Sequence, residues 1–217
     1  MVYYCQIRFL SLAEESGLLV PIGLKMIRKA ALQAVAWEKK SIKFSRIAIN
    51  LSKIQLSQIS FIADILTILK ETNCQSQWLE FEVEVDETMF SSDSTVIYDN
   101  LSNLGKLGFS LTIEGLGIDR CILDSIDDLP IAKLKIPQYF IQKVPGHRAD
   151  EGIIKSMFVL AYHLGIEVVG VGIENTQQEA FLNLHHINLG QGNFRSKAMT
   201  VAETTFYLRC NKNNHCI

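Results

Sequence analysis

Along the chain, short apolar runs that suit strands alternate with longer segments whose apolar residues recur at helical spacing. After an opening "VYYCQI", the strand candidates are "RIAINLS" (46–52), "LEFEVEV" (79–85), "FSLTIE" (109–114), "IAKLKI" (131–136), "EVVGVGI" (167–173) and "INLGQG" (187–192). Helices are predicted over 20–38, 56–71, 94–108, 149–164, 176–187 and 201–209, and 115–128 reads as irregular. Near-continuous apolar strands separated by helices require a parallel sheet covered by helices. Right-handed crossovers then leave two architectures, an open doubly wound sheet or a β/α barrel. No GxGxxG follows an early strand, so the phosphate fingerprint of a dinucleotide fold is missing.

The strand ends carry the chemistry. Asn50 closes "AIN" in the first of these runs, Glu82 and Glu84 lie in the next, and Glu114 ends "LTIE". Lys135 stands near the end of "IAKLKI", Glu174 follows "GVGI", and Gln191 follows "NLG". In a β/α barrel the C-terminal strand ends share one mouth, where active sites are built. One polar strand end is ordinary, and six successive units suit either a phosphoryl-handling site or a barrel mouth with merely solvated polar ends. Amide and carboxylate oxygens with one lysine suit Mg²⁺ or Mn²⁺ and a phosphate-containing substrate.

Composition narrows the picture. The chain has 217 residues, 48% of them hydrophobic and 20% charged, which fits one folded domain over residues 1–217. A formal charge of −2 gives no footprint for nucleic acid or an anionic membrane. The five cysteines are odd in number, scattered and without a CxxC pair, which suits reduced thiols in a cytoplasm. His215 beside Cys216 reads as a polar tail and His185-His186 as a helix end, not as metal ligands. The N-terminus lacks the basic start and apolar core of a signal peptide. The apolar stretch 156–173 is broken by His163, Gly165, Glu167 and Gly170, so no membrane span is expected.

"FLSLAEESGLLVPIG" (9–23), "AINLS" (48–52), "LEFEV" (79–83), "LPIAKLKI" (129–136), "LAYHLGIEVVGVGIEN" (160–175) and "LGQGNF" (189–194) together resemble the EAL domain family. The family's barrel phosphodiesterases hydrolyse the bacterial messenger cyclic di-GMP. The resemblance covers nearly the whole chain from Phe9 and implies an α/β fold, a TIM-like β/α barrel of the EAL type. It also implies a mechanism in which two divalent metals activate a water that attacks one phosphodiester. On this resemblance Asn50, Glu82 and Glu114 are remnants of metal ligands, and Lys135, Glu174 and Gln191 are remnants of the catalytic set.

The departures from the family pattern are extensive. The paired aspartates of "DDFG" fall on Glu114 and Gly115, the last glutamate of the "ELTE"-like strand on Val85, and the first glutamate of "EGVE" on Val171. The Glu-Ala-Leu strand itself is not visible, and no acidic residue precedes Glu14. A weak match of "YCQI" (4–7) to the family's first strand runs straight into the helix near Phe9. The barrel is therefore expected to be incomplete, with the opening candidate and the six later runs as its strands. An open sheet edge would then need covering.

These departures imply a catalytically inactive, cytoplasmic, degenerate EAL domain with no cofactor and its metal positions unoccupied. Mg or Mn is expected only with residual phosphodiesterase activity. By analogy with short degenerate members, the sequence points first to regulation through a protein partner. The alternative is a non-catalytic cyclic di-GMP receptor using Lys135 and Gln191. With ligands deleted around one fixed cation, Lys135 is expected to balance Glu82 and Glu114.

Overall fold

The computed structural model describes residues 12–85, 89, 95–114 and 129–210. The opening strand candidate, Gly115 with the segment to Asp128, and the His215–Cys216 tail lie outside the described residues. The chain runs α1 (Leu19–Lys39), β1 (Ile47–Leu51), α2 (Lys53–Leu56), α3 (Phe61–Thr72), β2 (Leu79–Glu84), α4 (Thr95–Lys106) and β3 (Ser110–Glu114). It continues through β4 (Ile131–Ile136), α5 (Gln138–Ile141), α6 (Arg148–Leu164), β5 (Glu167–Val171), α7 (Thr176–Leu184), β6 (Leu189–Gln191) and α8 (Val201–Cys210).

The strands form one six-stranded sheet in the order β1-β2-β3-β4-β5-β6, every pair parallel. Each strand lies beside its neighbour in sequence, the order that right-handed crossovers generate when a sheet curls toward a barrel. Among the described residues β1 and β6 do not pair with each other. The result is an open, curled half-barrel, the incomplete β/α architecture expected from sequence. The register slips by one residue between Leu111 and Thr112 on β3.

The core lies between the sheet's outer face and the helices. Leu79, Phe81 and Val83 of β2, Leu111 and Ile113 of β3, and Leu134 and Ile136 of β4 are buried there. Ile27, Ala31 and Ala34 of α1, Ile65 and Ile68 of α3, and Ile154 and Met157 of α6 cover them, at the three-to-four spacing of one helical face. At the far end of the helical layer the Trp37 indole donates to Thr205 Oγ1 at 2.8 Å, tying α8 to α1.

One predicted helix is two. Ser52 caps α2 by accepting from the Gln55 backbone, and Gln55 returns the bond in a capping box, so helix begins earlier than its apolar period indicates. The break before α3 frees backbone carbonyls. Buried Asn100 of α4 donates to the Leu56 and Gln58 carbonyls at 2.7 and 3.0 Å and holds the break open. The strand expected over 167–173 stops at Val171. Gly172 turns with φ +81°, and the Gly172 and Ile173 amides both donate to the Gln191 carbonyl.

Candidate functional site

The sheet's two faces differ in kind. Successive strand residues point to opposite sides, so Glu80, Glu82 and Glu84 of β2 share the inner face, away from Phe81 and Val83. Thr112 and Glu114 of β3 share it with them, as register partners of Glu82 and Glu84. The strands are therefore alternating where continuous apolar runs were expected, because the inner face is polar.

Two Glu–Lys pairs cross that face from β2 to β4. At the deeper level the Glu80 carboxylate accepts from Thr112 Oγ1 and Lys133 Nζ, both at 2.8 Å, with Arg46 at 4.0 Å. Glu80 and Thr112 are buried, and each oxygen of the Glu80 carboxylate has a donor within hydrogen-bond distance. At the upper level Lys135 Nζ lies 2.6 Å from Glu82 Oε2 and 3.8 Å from Glu114 Oε2. The Lys135 side chain is 6% exposed, Glu82 13% and Glu114 36%, so the pair sits just under the opening. The expected balance of Lys135 against Glu82 and Glu114 is present in the geometry.

The other sequence candidates do not join this cluster. Asn50 is exposed on β1, in register with Glu82. Glu174 is exposed; its carboxylate accepts a long 3.4 Å bond from Gln138 on the rim, and its amide donates to Gln178 Oε1. The helix cap beside it belongs to Asn175, which accepts from the Gln177 and Gln178 amides. Gln191 acts through its carbonyl, as the acceptor that ends β5. Gly192 beside it is irreplaceable on steric grounds: a Cβ there would stand 2.1 Å from the Ile173 carbonyl oxygen.

Sequence reasoning missed the lower pair. The available signal was the spacing of Glu80, Glu82 and Glu84, and of Lys133 and Lys135, at the period of a strand with one polar face.

A two-metal centre needs several uncommitted oxygen donors at the mouth. Val171 ends β5 with no donor side chain, and Glu82 is engaged by an ammonium at 2.6 Å. Among the described residues no group of three or more His, Cys, Asp or Glu is arranged to hold a metal ion. The described side chains do not fit the paired-ion site that the resemblance implies. Also among the described residues, no helix is long and apolar enough to cross a membrane.

Fold and inner face define a parallel β/α half-barrel with its polar site at the C-terminal strand ends. Residues 3–198 match the family model described as "EAL domain", and the chain belongs to that family. It is 27% identical over 202 residues to the cyclic di-GMP phosphodiesterase PdeR of Escherichia coli (strain K12), covering 93% of this chain and 30% of that protein. It is 33% identical over 174 residues to the signaling protein YkoW of Bacillus subtilis (strain 168), covering 80% of this chain and 21% of that one. The chain thus spans less than a third of the length of these relatives. Among solved structures, the PaMucR phosphodiesterase in its c-di-GMP complex superposes with a TM-score of 0.82 at 26% identity, over 91% of this chain and 79% of that one.

Proposed function

We propose that this chain is a degenerate, non-catalytic EAL domain that binds cyclic di-GMP at the mouth of its half-barrel, in the bacterial cytoplasm. The observation that carries the reading is Lys135, an ammonium held under the opening of a fold that resembles a cyclic di-GMP complex. A lysine there is a point charge able to hold a phosphate without a metal. The positions that the resemblance assigns to further metal-binding carboxylates carry Val171 and Gly115, which argues against hydrolysis. Loss of a single charge-stabilising group commonly costs about 10²–10³ in rate.

The sequence alone points first to a protein partner. The likeness to a ligand complex supports the receptor reading instead, and among the described residues no surface feature identifies a partner.

Calorimetry with cyclic di-GMP, with and without Mg²⁺, tests the proposal. The expected result is binding in the micromolar range that is indifferent to Mg²⁺, with no linear dinucleotide formed on long incubation. Silence would return the protein-partner reading to first place. Metal-dependent hydrolysis would overturn the non-catalytic one.

A further inference from the structure

We infer that the Glu82 carboxylate is a built-in rival for the anion that Lys135 would bind, and so sets how tightly a phosphate ligand is held. The inference deepens the receptor reading and rests on it for the identity of the ligand. An ammonium has three donors and no acceptor, and the direction toward Glu82 is taken by a carboxylate oxygen at 2.6 Å. Both side chains are largely shielded from water, at 6% and 13% exposure, so dissolved salt weakens this pair little.

Charge arrangement sharpens the point. Lys133, a second ammonium on the inner face, is committed to Glu80 at 2.8 Å. Lys135 already faces Glu82 and, at 3.8 Å, Glu114. A phosphodiester arriving at Lys135 therefore meets a cation that is already neutralised, with a second carboxylate at its side. Binding requires Glu82 to swing off or to tolerate an anion beside it. Glu84 provides the internal control. It lies on the same face of β2, is exposed, carries the same charge, and makes no ion pair with Lys135.

The test is calorimetric titration of wild type, Glu82→Gln, Glu84→Gln and Glu82→Gln/Lys135→Met with cyclic di-GMP and separately with pyrophosphate. Glutamine keeps the shape of glutamate and removes its charge. Glu82→Gln should bind either probe about tenfold or more tightly than wild type, and Glu84→Gln should change affinity by no more than about threefold. Adding Lys135→Met should erase the gain. Equal gains in Glu82→Gln and Glu84→Gln would reduce the effect to net charge and overturn the inference.

Failure of this inference and failure of the receptor reading give different results. If wild type binds cyclic di-GMP and Glu82→Gln binds it no better, the rivalry falls and the receptor stands. If cyclic di-GMP binds neither protein while pyrophosphate prefers Glu82→Gln, the rivalry stands and the receptor falls. Should Glu82→Gln fail to fold, Glu82→Asp withdraws the carboxylate by one methylene. It should then give a smaller gain of the same sign, and no gain would count against the inference.

Discussion

The two Glu–Lys pairs on the inner face use the same residues on the same two strands, one level apart, and they do different things. Glu80 meets Lys133 and Thr112 in a closed, matched set. Glu82 meets Lys135 with a second, partly exposed acid beside them. In the lower set donors and acceptor are matched, so the pair is structural. In the upper set acids outnumber the cation they share, which leaves an arrangement that a ligand or a substitution can tip. Position under the mouth, not residue type, separates scaffold from site.

The largest expected effect tests that division directly. Glu80→Ala strands a lysine and a threonine on the inner face and should cost about 3 kcal/mol in urea unfolding. Glu82→Ala should cost less, about 1–2 kcal/mol, because Glu114 is placed to take over the buried Lys135. Equal losses would erase the distinction. Next in size, Lys135→Met should weaken cyclic di-GMP binding by about 2 kcal/mol, near thirtyfold. Lys133→Met should leave binding within about twofold while lowering stability; the reverse pattern would put the site one level deeper. Thr112→Val removes one of the two close donors to Glu80 and should cost about 1 kcal/mol, seen as a lower urea midpoint with unchanged ligand affinity.

The smallest effect is kinetic and reads the same comparison from the outer layer. Burial pushes the Cys74 thiol up to about 11 from 9.0. The native thiol therefore stays protonated near pH 8 and should react slowly with a thiol reagent, while exposed Cys210 reacts first. Because the shift is upward in the folded chain, the buried neutral thiol adds stability that is complete below pH 9 and is lost as pH rises toward 11. Glu80→Ala should accelerate Cys74 labelling at pH 8 more than Glu82→Ala does.

The fold was legible because strands and helices alternate in different periods; β4 falls on the predicted residues 131–136. Where the prediction slipped, local hydrogen bonding decided the boundary. The Ser52–Gln55 box started a helix early, and the Gln191 carbonyl stopped β5 short. In the site, the grouping of Lys135 with Glu82 and Glu114 followed from counting acids around one cation. The Glu80 set did not, since no family motif groups its residues and only the register of three strands brings them together. Asn50 is the penultimate residue of β1 and Gln191 ends β6, while Glu174 falls three residues beyond β5, a displacement set by the Gly172 turn that apolar patterning does not record.

The one-residue slip at Leu111/Thr112 has the last word on where the charges go. Continued without it from Leu111 beside Ile131, the ladder would set Thr112 beside Ala132 and Glu114 beside Leu134. Both lysines of β4 would then face the helices, and Leu134 would face the mouth. The slip acts as a parity switch, placing Lys133 beside Thr112 and Lys135 beside Glu114. Point substitutions along β4 change one side chain at a time. Deleting Ala132 would instead take out the extra residue itself, leaving an unbroken ladder with Lys133 still beside Thr112 and Lys135 still beside Glu114.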